Sequence, residues 1–243
     1  MRYGAVIVFL ASALCVMAGQ MQNRNAYGVR GTDSRYFPPG YSQSKLWYKF
    51  DGTDTNNIID YSSIRTNSGY VKITNGGGSF SLSNGVFKTN PNPTNAYVMS
   101  RYAPPANPNR QATWYAWVNV ARTVSYQGIF MFRGGGNANG LFSDTVGWNN
   151  LTAINWYGNL FTTNAWHLLV GTHSNGTSTI YTDGAKATPA VFSSTANTPA
   201  IFYIGYDPNS AGQQLEGQVS EVYYTEYLFT HQDVSNVLNK GAQ

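Results

Sequence analysis

From residue 46 onward the chain reads as short runs of β-branched and aromatic residues, each closed by a cluster of Gly, Asn, Asp, Ser or Pro. That pattern predicts strands at 46–50, 70–74, 97–101, 112–120, 128–132, 167–172, 178–182, 201–204 and 218–224. No helical period interrupts these nine runs, so two stacked antiparallel sheets are expected. Within 112–120, Trp114, Ala116, Val118 and Val120 share one side of the strand, and Tyr115, Trp117 and Asn119 share the other. The first side is the one expected in the core; the second is amphipathic.

Turn chemistry sharpens this picture. Asn175-Gly176 joins two alternating runs, and Asp183-Gly184 supplies a second tight turn just after; both pairs tolerate the positive φ angles of hairpin turns that match strand twist. The glycine-rich stretches 75–78 and 134–140 lack the Lys-Ser/Thr of a phosphate cradle and read as loops between strands. Only the C-terminus has a helical period: Thr230 can cap with Asp233, Val234, Val237 and Leu238 share one face, and Gly241 is placed to end the helix.

Composition agrees with an all-β chain. Of 243 residues only 11% are charged, while Gly and Asn number 25 each and Tyr 18, a mixture poor in strong helix formers. The length suits one large domain.

The first 18 residues read as a signal peptide: Arg2 is followed by an almost unbroken apolar run over 5–17, with a cut expected near Gly19. Thirteen residues fall short of the roughly 20 needed to span a bilayer, so secretion is expected and no membrane span in the mature chain. Cleavage would remove Cys15, the single cysteine, and with it disulfides and thiolate chemistry. Residues 19–44 form an extended basic arm with Arg24, Arg30 and Arg35 against Asp33, broken by Pro38, Pro39 and Gly40, ahead of a domain over 45–243. The arm is read as a lead-in packed along the domain, with self-association or attachment to an anionic surface as the alternative. The remainder is close to neutral without a basic stripe, so nucleic acid is not an expected partner.

Four segments in order resemble the laminin G-like, concanavalin A-like family. Leu46-Trp47-Tyr48-Lys49-Phe50-Asp51-Gly52 is similar to its first strand, and Thr113-Trp114-Tyr115-Ala116-Trp117-Val118 to its central strand. Trp166-His167 with Tyr181-Thr182-Asp183-Gly184 resembles its hairpin, and 217–224 with the capped helix resembles its closing strand and helix. The resemblance implies a two-sheet antiparallel jelly-roll sandwich with one short C-terminal helix, and an association with glycans or adhesion. It also implies a calcium ion in many members, for which Asp60 is the nominated ligand by position. Calcium wants six to eight oxygens, and Asp60 has no carboxylate within five residues, so a turn-forming role competes and no cofactor is required.

The Glu-x-Asp-x-x-Glu run of the family's glucan-cleaving members is absent. Glu216, Glu221 and Glu226 are spaced by five, which puts neighbours on opposite faces of a continuous strand; Asp144 with Glu221 across strands is the pairing left open. No Gly-x-Ser-x-Gly elbow accompanies His167, His173 or His231. His167 and His173 lie about 20 Å apart along one strand, too far to share a metal. His231 is expected in the helix cap, exposed.

Sugar recognition asks for aromatic planes beside neutral amides. Trp148, Asn149, Asn155, Trp156 and Tyr157 supply both and are the candidate binding residues, with filling of the core by Trp156 as the competing role. Sequons at Asn150 and Asn175 are candidate glycosylation sites, Asn175 on a hairpin tip; a glycan on Asn150 would cover Trp148. The expectation is therefore a secreted, non-enzymatic module that binds a carbohydrate or glycoprotein surface. A structural component of a matrix, coat or particle is the alternative class.

Overall fold

The structure is a computed structural model that describes residues 36–74, 79–89, 95–103, 111–122, 127–133, 140–143, 145–147, 154–155, 162–174, 177–186, 190–191, 201–208 and 213–241. The proposed signal peptide, Trp148, Asn149, Asn150, Trp156, Tyr157, Asn175 and Asp144 lie outside the described residues, and Asn155 is described in its backbone alone.

Sixteen strands are described: β1 (Ser44–Tyr48), β2 (Tyr70–Thr74), β3 (Phe80–Ser83), β4 (Val86–Thr89), β5 (Asn95–Met99), β6 (Ala112–Val120), β7 (Gly128–Arg133), β8 (Gly140–Phe142), β9 (Thr145–Gly147), β10 (Ile154–Asn155), β11 (Trp166–Ser174), β12 (Thr177–Thr182), β13 (Ala185–Lys186), β14 (Ala190–Val191), β15 (Ile201–Ile204) and β16 (Gly217–Thr225). They form two antiparallel sheets. The first runs β13-β12-β11-β6-β16-β4-β3, with β1 also on β16 and β14 also on β12; the second runs β10-β9-β8-β7-β15-β5-β2. The fold is the expected jelly-roll sandwich. All nine predicted runs overlap strands, the 46–50 and 97–101 runs both lying two residues earlier, at Ser44–Tyr48 and Asn95–Met99.

The sheets face each other across one core. From the first sheet come Trp114, Ala116, Val118 and Val120 of β6 with Leu169 and Val222; from the second come Val98, Phe130, Phe132, Phe202 and Ile204. Rings dominate the contact: Phe130 stacks on Phe202 at 4.9 Å, and Trp114 meets Phe132 edge-on at 5.7 Å. Each such ring, taken from water to full burial, stabilises the fold by about 1.5–3 kcal/mol. Gly171 of β11 sits directly under the Trp114 indole, where a Cβ would lie 2.5 Å from the ring.

The opposite face of the first sheet is buried too. Tyr115 and Trp117, expected on an amphipathic face, are both inaccessible. Tyr115 stacks on Tyr223 at 5.1 Å, and Phe229 closes over both. Two segments supply the cover. The lead-in over 37–43 is tied down by Tyr223 Oη donating to Pro39 O (3.0 Å) and Thr225 Oγ1 donating to Gly40 O (2.9 Å). At the other end, helix α1 (His231–Lys240) buries Val234 and Val237 and rests Leu238 against Gly184. Its start is the capping box read from the sequence: Thr230 Oγ1 accepts from Asp233 N (3.2 Å), and Asp233 Oδ2 accepts from Thr230 N (2.8 Å). Gly241 ends it with φ +70°.

One expectation about strand parity is corrected. β16 carries a bulge between Val219 and Glu221, so Val219 and Val222 both face the core and the spacing of five between glutamates no longer reports on their faces. The bulge falls where β16 changes neighbour: β4 pairs with 217–219, and β1 pairs with 222–225.

Candidate functional site

The outward face of the second sheet brings tyrosines and methionines into register. Backbone register aligns Tyr70 with Met99, Met99 with Tyr203, and Tyr203 with Met131, which makes one row across β2, β5, β15 and β7. The next row holds Lys72 opposite Tyr97. Tyr97 stacks on Tyr206 at 4.8 Å and lies 5.9 Å from Tyr203. Tyr97, Met99 and Tyr206 are buried, while Tyr70 and Tyr203 keep part of their rings open and Lys72 and Arg101 are exposed. The Arg101 guanidinium stands 5.7 Å from the centre of the Tyr70 ring. Alternation along each strand produces this face: with the intervening residues turned to the core, Tyr70, Lys72, Tyr97, Met99 and Tyr203 all turn outward.

Electrostatically the phenols act as neutral groups. Burial, reinforced by Tyr203, Tyr206 and Tyr70, pushes the Tyr97 hydroxyl up to about 12. Burial, then Tyr70, raises Tyr203 as well. At neutral pH both are hydrogen-bond donors and acceptors carried on flat apolar rings, which is the equipment a saccharide face needs.

Of the residues nominated from sequence, Asn155 belongs to this same sheet, its backbone paired with Thr145 on the edge strands β9 and β10. Asp60 lies elsewhere, beside β1, and is 4% exposed. Its Oδ1 accepts from Trp47 N (3.1 Å) and Ser62 N (2.9 Å), and its Oδ2 accepts from Ser62 Oγ (2.8 Å) and Asn67 N (3.0 Å). Four donors surround the carboxylate, so this donor set fits a turn-organising acid and does not fit a calcium ligand. Among the described residues no three His, Cys, Asp or Glu side chains gather at one point.

Glu221 is 1% exposed on the outward face of the first sheet. Its Oε1 accepts from Trp47 Nε1 (2.8 Å) and Tyr115 Oη (2.6 Å). Glu216 pairs with Arg122, and Glu226 with Lys45 at 3.6 Å. His167 Nδ1 lies 2.6 Å from Asp183 Oδ2, and its Nε2 is 2.8 Å from Thr162 O. His173, at the other end of β11, is 2.8 Å from Ser178 Oγ. His231 is exposed beside Tyr181.

The tyrosine face was missed in the sequence because its members lie on strands far apart in the chain. The signal present was the shared parity of Tyr70 with Lys72 and of Tyr97 with Met99 and Arg101 on runs already recognised as strands.

A family profile of the laminin G type of the concanavalin A-like lectin/glucanases superfamily matches residues 92–235. The chain belongs to this superfamily. A search of curated proteins found no match. Among solved structures this lectin/glucanase-type chain is similar to domain 4 of AbnA, an extracellular arabinanase of Geobacillus stearothermophilus, solved with arabinotriose: TM-score 0.57, 20% identity, 83% of this chain and 98% of that one. It is also similar to the binding domain of botulinum neurotoxin DC in complex with rat synaptotagmin II (TM-score 0.56, 13% identity, 83% and 52%). A third match is Trypanosoma rangeli sialidase with sialic acid (TM-score 0.58, 11% identity, 96% and 39%). The chain thus spans about half of the toxin domain and less of the sialidase, and at these identities the likeness is one of fold.

Proposed function

We propose that this protein is a secreted, non-catalytic carbohydrate-binding module, and that the Tyr70–Met99–Tyr203 row is its contact surface. The observation that carries the reading is a row of partly open phenol rings, backed by Tyr97 and Tyr206, on the outward face of one sheet of a lectin-type sandwich. Saccharide rings stack their C–H faces on such planes, and the neutral phenols can exchange hydrogen bonds with sugar hydroxyls. The arabinanase domain solved with arabinotriose and the sialidase with sialic acid share the fold, which agrees with this use of it.

Export rests on the Arg2-led apolar run over 5–17. A non-catalytic role is supported by Glu221, whose carboxylate is engaged by Trp47 and Tyr115 away from the tyrosine face. Asn175, which follows the last residue of β11 in the sequence, is the acceptor favoured for glycosylation; intact mass before and after glycosidase treatment reads that directly.

A glycan array with the purified chain tests the main reading. Saturable capture of defined saccharides is expected, lost at least tenfold in Tyr203→Ala while Trp148→Ala reports on the residues nominated from sequence. An inert array, or capture that Tyr70→Ala and Tyr203→Ala both leave intact, rejects the tyrosine row as the site.

A further inference from the structure

The charges around the tyrosine row carry the reading one step further. None of the described strands of the second sheet contains an Asp or a Glu. Its basic residues are Lys72 in β2 and Arg133 in β7, and Arg101 follows two residues after β5. The register makes this arrangement two-sided. Lys72 is opposite Tyr97 in the row on one side of Tyr70–Met99–Tyr203. On the other side Arg133 pairs with Ile201, and Arg101 follows Met99 by two residues, past the end of β5. A stripe of neutral phenols and thioethers therefore runs between cationic positions.

Neither Lys72 nor Arg101 forms an ion pair with a carboxylate among the described residues, whereas Lys45 and Arg122 on the first sheet do. Both are exposed. Arg101 is also held: its guanidinium stands 5.7 Å from the Tyr70 ring centre, a cation–π contact that fixes the fork beside the stacking surface before any ligand arrives. Guanidinium is the side chain best matched to a planar anion, because two parallel N–H groups meet two carboxylate oxygens. Preorganisation on the ring lowers the ordering cost of that pairing.

We infer that the ligand of this face is a saccharide bearing a carboxylate, a uronic or sialic acid residue, with its ring on Tyr70 and Tyr203 and its carboxylate on Arg101, Lys72 adding a second positive charge. This rests on the tyrosine row being the binding surface. A neutral sugar would use the rings and leave both cations idle; a carboxylated one uses every unusual feature of the face. The attraction is between exposed charges, so it weakens as salt is added.

The test compares matched pairs in which only the charge differs: trigalacturonate against its methyl ester, and sialyllactose against its methyl ester and against lactose, by calorimetric titration at fixed ionic strength. The acids are expected to bind at least tenfold more tightly than their neutral partners. Arg101→Gln should bring the acid down to the affinity of its ester and leave the ester unchanged, and Lys72→Gln should produce a smaller loss. Raising NaCl from 50 to 300 mM should weaken the acid alone. A heparin-derived oligosaccharide of matched length serves as the sulfated arm, and preference for it over every carboxylated ligand overturns the carboxylate assignment. Equal affinity for acids and esters overturns the inference while the tyrosine row survives as a neutral-sugar site. Failure of every saccharide, charged or neutral, overturns both. Circular dichroism of Arg101→Gln and Lys72→Gln, both exposed positions, confirms that any loss is not one of folding.

Discussion

The Trp47 indole and the Glu221 carboxylate, 174 residues apart in the chain, are joined by a 2.8 Å hydrogen bond on the outward face of the first sheet. Tyr115 Oη donates to the same oxygen at 2.6 Å, so first, central and last strands meet at one buried acid. Glu221→Ala strands two buried donors at once and should cost about 3 kcal/mol in urea unfolding. Glu221→Gln keeps an acceptor oxygen and should cost about 1 kcal/mol. A Glu221→Ala protein as stable as wild type, and altered only in some activity, would make this carboxylate a functional group instead.

Asp60 does for a loop what Glu221 does for a sheet. Its two oxygens gather the backbone N–H groups of Trp47, Ser62 and Asn67. Asp60→Ala leaves those donors buried and should destabilise the fold by roughly 3 kcal/mol. Because donors and not cations fill its lone-pair directions, EDTA should leave the melting temperature where it was. A calcium-dependent rise in melting temperature that disappears in Asp60→Ala would reassign the residue as a ligand.

These two acids mark the boundary of what the sequence could disclose. The nine predicted strands, the inward side of β6, the Asp183-Gly184 turn and the capping box were all legible, because alternation, turn dipeptides and the Thr230/Asp233 spacing are local signals. Strands of two or three residues such as β8, β10 and β13 contain too few positions for a period to register. The β16 bulge lies where β4 gives way to β1, a competition between partners that no stretch of β16 encodes alone. Burial of Tyr115 depended on Tyr223 and Phe229 packing over it, rings that lie more than 100 residues away in the chain. The tyrosine row needed the register of four strands brought together from across the chain.

Gly171 shows how tightly the core constrains even the smallest residue. It pairs with Trp114 across β11 and β6, and a methyl group there would sit 2.5–2.8 Å from the indole Cε2, Cζ2 and Nε1. The ring has Phe132 edge-on against it and cannot retreat without disturbing the opposite sheet. Gly171→Ala should therefore destabilise the protein by about 2 kcal/mol despite removing a flexible glycine from a strand. Denaturant titration with unchanged slope and a lower midpoint is the expected signature, and a neutral or raised midpoint would show that the indole has room to move.

The hairpin clamp at His167 makes stability depend on pH in a predictable direction. Burial of the ring disfavours its charge, but the hydrogen bond to Asp183, the charge of that carboxylate and the Thr162 carbonyl outweigh burial and raise the imidazole above its usual value of 6.5. A group whose pKa is raised by folding stabilises the native state while protonated. Its contribution is therefore full below the unfolded value of about 6.5 and fades as pH climbs through the higher folded value. Asp183 sits at φ +49°, a conformation that asparagine tolerates well, so Asp183→Asn removes the charge with little backbone penalty. The gap in melting temperature between wild type and Asp183→Asn should be wide at pH 5.5 and narrow toward pH 9, and His167→Asn should flatten the same part of the profile. A gap that stays constant or widens as pH rises would mean that the ring is held neutral, donating from Nδ1 to Asp183 and accepting at Nε2 from Thr162, whose N and Oγ1 both lie 3.2 Å away.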